Sequence, residues 1–242
     1  MRSAFFAAFF ALSISLQAQR PLPPAPQTIT SEPFSANRVV TTYQKLGDGT
    51  TIQHVRTFFM ARDSTGRTVE RSETQPDPLR PETKRVSWSI YDPDTRTRTY
   101  WCSCAKVAMV YQLGEPRRLP PEHPPGIEGM DVYLGPSPAS RLKYHGEELP
   151  PRVLMGVTTR GSRAERVVKA GVDGNDHDLT TTIDSWYSPE LHLALLTEID
   201  DPVKGKSRLE FTDLSRDEPP TGLFQIPPGY TVRESPTEAA SD

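Results

Sequence analysis

The sequence predicts a mainly β protein built of antiparallel strands, with little helix. Apolar and polar residues alternate over residues 86–91 and 191–199, which is the period of a strand with one buried face. Short turns containing glycine, proline or aspartate separate such segments along the chain. No segment keeps the 3.6-residue period of an amphipathic helix, so strands must supply the core.

Each half of the chain contains a series of predicted strands. In the first half, three strands joined by short turns form a β-meander and two more extend it. These are residues 39–46, 51–62, 67–73, 86–91 and 99–113. Within residues 51–62, alternation places Ile52, His54, Arg56 and Phe58 on one face. The strands of the second half are residues 153–159, 163–169, 179–187, 191–199 and 207–214.

The N-terminus has the layout of a secretory signal peptide. Arg2 precedes an apolar stretch over residues 4–16, and Ala18 offers a small residue for cleavage. The stretch is too short for a membrane span, and no later segment approaches the roughly 18 apolar residues of a transmembrane helix. We therefore predict that residues 1–18 are removed and that the protein is exported, to the periplasm or outside the cell, with no transmembrane segment in the mature chain.

The mature chain is predicted to hold a single antiparallel β domain over residues 37–234. A disordered, proline-rich leader (residues 19–36) precedes it, and a disordered tail (residues 235–242) follows. Within the domain, residues 115–151 contain nine prolines, which disfavour sheet ladders and long helices. This excursion is interpreted as a lid over the sheet or as a linker between its halves.

Composition gives no basis for a nucleic-acid partner. The formal net charge is −3 at pH 7, whereas binding to nucleic acid or to an anionic membrane calls for a clustered basic surface. Hydrophobic residues make up 35% of the chain and prolines number 25. This combination indicates a modest core with long irregular connections.

Cys102 and Cys104 are the two cysteines of the chain. An oxidising compartment favours a disulfide. However, residues two apart on an extended strand point the same way, so a bridge between them requires the strand to kink. Two packed thiols or a strained local disulfide are the favoured interpretations. A soft-metal or redox site and intermolecular pairing are the alternatives.

Two acidic clusters contain residue types used in binding or catalysis, and both also suit hairpin tips. Asp173, Asp176 and Asp178 lie in one polar turn, where closely spaced oxygen ligands could hold calcium. The turn lacks the EF-hand order of ligands, and Gly, Asn and Asp are also what a tight turn needs. Residues 198–201 contain three carboxylates that could pair for catalysis. In both cases a charged turn is the favoured interpretation.

Recognisable catalytic motifs are absent from the sequence. It contains no Gly-x-Ser-x-Gly elbow, phosphate loop, dinucleotide fingerprint or His-Glu-x-x-His motif. Its titratable residues fall in turns rather than at the ends of apolar strands. We therefore predict that the protein is not an enzyme and uses no cofactor or metal.

Several segments resemble the signature of one family of exported proteins. They read Gly-Val-Thr-Thr-Arg-Gly-Ser-Arg at residues 156–163, Asp-Ser-Trp-Tyr-Ser-Pro-Glu-Leu at 184–191, Asp-Pro-Val-Lys-Gly at 201–205 and Glu-Pro-Pro-Thr-Gly-Leu-Phe-Gln-Ile-Pro-Pro-Gly-Tyr at 218–230. With Asp-Pro-Asp-Thr-Arg at residues 92–96, they resemble small exported proteins of soil bacteria of the acidobacterial type. The resemblance covers most of residues 85–234 and implies no particular activity.

A wider similarity extends to the periplasmic lipoprotein carriers LolA and LolB. It lies in the Trp-bearing turn after residue 184 and in the Phe-x-Ile-Pro-x-Gly-Tyr tail at residues 224–230. The similarity implies a LolA/LolB-like half-barrel, an incomplete β-barrel whose curved antiparallel sheet cups an apolar cavity for acyl chains. The sequence lacks the amphipathic helices that plug this cavity in the carriers, and the proline-rich excursion stands where a lid would be.

Two classes of function follow. The first is an exported binding protein that carries a lipid or other apolar molecule on the concave face of the sheet. The residues expected to line that face are Phe58, Trp88, Ile90, Leu193 and Leu195. The second is a structural or protein-interaction module of the cell envelope, which would bind envelope proteins through sheet edges and proline-rich segments. The aromatic residues expected to serve the structure are Trp186, Tyr187, Phe224 and Tyr230.

Overall fold

The computed structural model describes residues 22–74, 79, 84–116 and 141–235, with the backbone alone for residues 141–146. The predicted signal peptide, the middle of the proline-rich excursion and residues 236–242 lie outside this part of the chain. In the described residues, no helix combines the length and the apolar character needed to cross a membrane.

The described chain forms one curved sheet of twelve strands. They are β1 (Phe34–Lys45), β2 (Thr51–Arg62), β3 (Thr68–Glu73), β4 (Val86–Asp92), β5 (Thr97–Cys102), β6 (Val107–Gln112), β7 (Arg141–Leu154), β8 (Val157–Val168), β9 (Leu179–Ser188), β10 (Leu193–Asp201), β11 (Gly205–Ser215) and β12 (Thr231–Ser235). Their order across the sheet is β12-β6-β5-β4-β3-β2-β1-β11-β10-β9-β8-β7.

The prediction of a mainly β protein with a curved antiparallel sheet and little helix is confirmed. Neighbouring strands are antiparallel except for β12, which runs parallel to β6. The described residues hold one short 3₁₀ helix, Thr221–Phe224, and no α-helix. Strand β2 has the predicted bounds, and β3, β4, β9, β10 and β11 differ from prediction by no more than two residues at either end.

Register determines which side chains share a face of the sheet. Residues paired directly across two strands point to the same side, and successive residues alternate between sides. We call face A the side that carries Trp88, Asp184 and Arg208. Face B is the side that carries Val40 and Leu209.

The half of the sheet formed by β2–β6 buries face A. Its cluster is made of Ala61, Val69, Ile90, Trp101 and Ala108, with Phe224 packed against them. Phe224 comes from the segment after β11, so the C-terminal part of the chain covers this face. Tyr230 completes the attachment, because its ring meets Trp101 edge-on at 6.4 Å and its hydroxyl donates to the Cys102 carbonyl at 3.2 Å.

The half formed by β8–β11, together with β1, buries face B instead. Ala164, Ile183 and Ile199 form one cluster, with the half-buried Leu209 beside them. A second cluster fills the end of the sheet where β1 begins, and it is built from Phe34, Ala36, Val157, Leu191 and Leu195. Neighbouring strands in a sheet are rotated relative to one another. Over twelve strands this twist accumulates, and it allows the two halves of the sheet to bury opposite faces.

The prediction that residues 19–36 are disordered is wrong for the part that is described. β1 begins at Phe34, which is 2% exposed, and Ala25 is also buried. The Gly114 amide donates to the Pro23 carbonyl at 2.8 Å. Proline lacks an N–H but keeps its carbonyl acceptor, so a proline-rich segment can still be tied to the sheet through carbonyls and a few apolar side chains.

The proline-rich excursion also ends earlier than predicted. β7 takes in residues 141–151, while residues 117–140 lie outside the described chain. Pro150 and Pro151 fall where the pairing of β7 with β8 shifts register, and β7 is the outermost strand of the sheet. Bulges and edge strands accept proline because the ladder does not need the missing N–H there.

Two other boundaries differ from prediction. Residues 99–113 form the hairpin β5–β6 rather than one strand, and Cys102 and Cys104 at its turn are joined by a disulfide with Cα atoms 5.2 Å apart. The turn of the hairpin supplies the kink that this bridge requires, so the local disulfide is the alternative that holds. Residues 153–159 and 163–169 are not two strands either: β7 turns at Gly156 into the continuous strand β8.

Trp186 and Tyr187 point to opposite sides of β9. Trp186 is 3% exposed, its indole N–H donates to the Pro150 carbonyl at 3.1 Å, and the Arg152 guanidinium lies 3.6 Å from the ring centroid. Tyr187 is half-buried, and its hydroxyl lies 3.2 Å from Nδ1 of His192. Trp186 therefore links β9 to the bulged part of the edge strand β7.

We predict that Trp186→Ala lowers the free energy of unfolding by about 3–5 kcal/mol, the range for deleting a buried aromatic side chain. Tyr187→Ala should lower it by less, since that ring is half-buried. Urea denaturation of both variants, followed by far-UV circular dichroism, measures the difference. Equal midpoints for the Trp186 variant and the wild type would contradict this role.

Candidate functional site

A groove of about 550 Å³ opens on face B near the centre of the sheet. Its floor is apolar and comes from three strands: Val40 of β1, Leu209 of β11 and Ile199 of β10. Val40 and Ile199 are buried, and Leu209 is half-buried. Because β1 and β11 are the neighbours that connect the two halves of the sheet, this central groove lies where the halves meet.

Strand pairing places polar wall residues directly beside the apolar floor. Arg56 of β2 pairs with Val40, and Val40 pairs with Leu209. In the next row on the same face, His54 pairs with Thr42. Neighbouring strands are about 4.8 Å apart, so a basic side chain and the floor are separated by one or two strand spacings. The groove thus has a basic wall next to an apolar base.

The basic wall is held in place by an aromatic ring. The Arg56 guanidinium lies 5.2 Å from the centroid of Phe58, and the Arg38 guanidinium lies 4.8 Å from it. Arg38 also forms an ion pair with Glu70 at 3.0 Å. Among the described residues, Arg56 has no such carboxylate partner. The positive charge of Arg56 therefore remains available on the groove side.

The hairpin between β10 and β11 closes one end of the groove. Asp201 accepts hydrogen bonds from the amides of Val203 and Lys204, at 2.9 and 2.8 Å, and from the Thr181 hydroxyl at 3.0 Å. Arg166 lies 3.6 Å from the same carboxylate. Burial raises the pKa of Asp201, but the hydrogen bonds and the Arg166 charge outweigh burial and hold the pKa below its usual value.

The same hairpin requires a glycine at its close approach to β1. Gly205 has φ +85°, and a Cβ at this position would lie 2.3 Å from the carbonyl oxygen of Tyr43. A side chain cannot fit there without moving backbone. The groove end is thus shaped by one glycine and one fully engaged carboxylate.

We predict a pH-dependent stabilisation from Asp201. A carboxylate with a lowered pKa in the folded state stabilises above its unfolded pKa, near 4, and loses that contribution as the pH falls through the folded value. Asp201→Asn should therefore be less stable than wild type by about 1–3 kcal/mol at pH 7, and the gap should shrink below about pH 4.

Urea denaturation at pH 7 and pH 3 measures this gap. Asp94→Asn, in an exposed turn, is the matched control and should show little effect at either pH. A gap between wild type and Asp201→Asn that stays constant with pH would show that the charge of Asp201 is not what stabilises the hairpin.

A larger groove of about 630 Å³ lies on face A, and ion pairs line it. These pairs are Arg163 with Asp184, Lys206 with Asp200, and Arg208 with Glu198 and Glu210. Each charge that lines this groove already has a partner of opposite sign, as on an ordinary solvated face. Of the carboxylates at residues 198–201, Glu198 and Asp200 belong to this face and Asp201 to the other, so they do not converge on a catalytic pair.

The five residues predicted to line one apolar face lie in three places. Trp88 and Ile90 belong to the face A core of β2–β6. Leu193 and Leu195 pack in the cluster where β1 begins. Phe58 lies on face B, outside the lining of the central groove but in contact with Arg56 of its wall. The prediction of a single shared lining is therefore wrong, because the sheet buries opposite faces in its two halves.

The groove residues that sequence reasoning missed lie far apart in the chain. Alternation correctly places His54, Arg56 and Phe58 on one face of β2. It does not reveal that Val40 meets Leu209, because these residues are brought together by the pairing of β1 with β11. The floor is thus a product of long-range pairing rather than of any local motif.

The acidic turn after β8 is built as a turn. The Asn175 side chain donates to the Lys169 carbonyl at 3.0 Å, and Asp178 pairs with the Lys169 ammonium at 2.5 Å. Asp173 and Asp176 are exposed. The described residues contain no group of three or more His, Cys, Asp or Glu side chains placed to hold a metal ion, so the calcium alternative receives no support.

Comparison with known proteins gives a likeness in fold. No protein-family model and no curated protein matches this chain. A LolA superfamily protein from Nitrosomonas europaea is 11% identical, with a TM-score of 0.33 over 82% of this chain and 92% of that one. An uncharacterized conserved protein from Thermus thermophilus is 10% identical, with a TM-score of 0.36 over 85% of this chain and 91% of that one.

A third similar structure is that of MucB in complex with MucA. MucB is 11% identical to this chain, with a TM-score of 0.33 over 84% of this chain and 56% of its own. The solved structures that are similar to this chain thus include a LolA superfamily protein. At these identities the likeness concerns the fold alone.

Proposed function

We propose that this protein binds an apolar or amphipathic small molecule in the central groove. The supporting observation is the apolar floor of Val40, Ile199 and Leu209 at the bottom of a groove with polar walls. Val203, which lines the groove at the hairpin tip, is 75% exposed. Ligand sites are concave and largely apolar, with a few orienting polar groups and volumes of about 300–1,000 Å³, a range that includes this groove.

The polar groups of the groove favour binding over catalysis. Asp201 is the one carboxylate among the described residues that line it, and hydrogen bonds with the hairpin and Thr181 already engage both of its oxygens. A general base must reach a substrate proton with a free lone pair. Asp201 instead fixes the end of the groove, which suits a binding protein.

Two features support placing this binding activity outside the cytoplasm. Residues 1–18 have the layout of a signal peptide. Cys102 and Cys104 are joined in a disulfide, a bond that persists in oxidising compartments. We therefore propose an exported binding or carrier protein, periplasmic or secreted.

A second candidate function, docking of an envelope protein, rests on β12. This strand pairs with β6 on one side and is the last strand in the described sheet, and four of its five residues are exposed. An exposed strand edge can take up an extended peptide as a further strand. This function would leave the central groove without a ligand, which separates it from the first proposal.

We predict that Ser207→Trp weakens binding of a neutral apolar dye, N-phenyl-1-naphthylamine, by at least about tenfold. Ser207 is half-buried on face B between Thr42 and Ile199, so an indole ring there would occupy the groove. Thr57→Trp is the matched control, because Thr57 is exposed on face A. Dye fluorescence titration gives both affinities.

Equal affinities for the wild type and the Ser207 variant would contradict binding in this groove. Native mass spectrometry of the exported protein provides an independent test, since a carrier should co-purify with a small hydrophobic molecule. If the wild type neither binds the dye nor carries such a molecule, docking through β12 becomes the better account.

A further inference from the structure

Resting on the proposed function, we propose that the ligand is a single-chain amphiphile with an anionic headgroup. Its carboxylate or phosphate would bind the guanidinium of Arg56, and its alkyl chain would lie on Val40 and Leu209. This assigns Arg56 as the residue that selects the class of ligand.

The first support is the juxtaposition of head and tail sites. Arg56, Val40 and Leu209 are consecutive partners across β2, β1 and β11, all on face B. A ligand that lies across the strands therefore meets a cation and then an apolar surface within about two strand spacings of 4.8 Å. A ligand with an anionic headgroup would pair with this cation while its chain covers the apolar surface.

The second support is the balance of charge around the groove. Its described lining includes Arg56 and one acidic residue, Asp201. Asp201 is already engaged by the hairpin, by Thr181 and by Arg166. Arg56 therefore offers a ligand a positive charge that Asp201 does not balance, although the whole chain carries a net charge of −3.

The third support is the contrast between Arg56 and other arginines of the sheet. Arg163 and Arg208 on face A pair with carboxylates. Arg38, beside Arg56, pairs with Glu70. Arg56 instead contacts the ring of Phe58, which holds the guanidinium while leaving its N–H groups free to donate. A guanidinium binds carboxylate and phosphate through two parallel hydrogen bonds.

Contact with Phe58 also lowers the entropy that Arg56 loses on binding. An arginine side chain that moves freely must be ordered when it binds an anion. Stacking on Phe58, with Arg38 against the same ring, restricts that motion beforehand. The arrangement is therefore pre-organised for an anion rather than for a neutral polar group.

The experiment compares three probes with the same twelve-carbon chain: dodecanoate, dodecyl phosphate and dodecanol. Each displaces the neutral dye from wild-type protein, Arg56→Gln, Arg56→Lys and Arg233→Gln, below the concentration at which micelles form. Arg233 is an exposed arginine of β12, at the edge of the sheet, and serves as the charge-matched control.

We expect Arg56→Gln to weaken the binding of dodecanoate or dodecyl phosphate by at least about tenfold, the scale of a charged hydrogen bond. Its affinity for dodecanol should stay within about twofold of the wild-type value. Arg56→Lys keeps the charge but loses the paired hydrogen bonds, so it should weaken anion binding less than Arg56→Gln does. Arg233→Gln should change none of the affinities. Whichever anion binds more tightly identifies the headgroup as a carboxylate or a phosphate.

Two results would overturn the inference while sparing the proposed function. One is equal binding of dodecanol and both anions by the wild type, and the other is equal weakening of all three probes by Arg56→Gln. Failure of the wild type to bind the dye or any probe would instead overturn the proposed function itself. Thermal melting of each variant shows whether it is folded.

Discussion

The pairing of β1 with β11 holds the two halves of this sheet together. In the described chain, the other neighbouring strands are consecutive in sequence, apart from β12 beside β6. The β1–β11 ladder must therefore offset the entropy of closing a loop that contains most of the domain. A slip of one residue in its register would turn Val40 and Leu209 to opposite faces and abolish the groove floor. The fold and the proposed binding surface thus depend on the same ladder.

Local patterns predicted the strands well and the faces poorly. The bounds of β2 agree with its alternation, as does the shared face of His54, Arg56 and Phe58. Alternation divides a strand into two faces but does not say which one is buried when the sheet is covered on different sides in its two halves. Trp88 is apolar and alternates correctly, yet it packs under the C-terminal segment rather than in the groove. Tertiary covering, which local sequence does not encode, decided its position.

Proline and cysteine show how context changes the effect of a residue. Pro150 and Pro151 lie within β7, because an edge strand with a bulge does not need their N–H groups. Cys102 and Cys104 looked too parallel to bridge on a continuous strand, but the strand turns there, and the disulfide lies at the hairpin. The prolines are compatible with a strand because that strand lies at the edge of the sheet, and the cysteines can be bridged because they lie at a turn. Both positions follow from pairing and not from composition.

The two faces of the central strands use charge in opposite ways, and this difference decides where a ligand can bind. On face A, carboxylates and guanidiniums of β8–β11 form ion pairs, so the charges that line the larger groove are balanced within the protein. An incoming anion would have to displace an existing partner, with little net gain. On face B, Arg56 contacts Phe58, and the strand beside it supplies an apolar surface rather than a counter-charge. The smaller groove is therefore the binding site that we propose, because Arg56 in its wall has no carboxylate partner among the described residues.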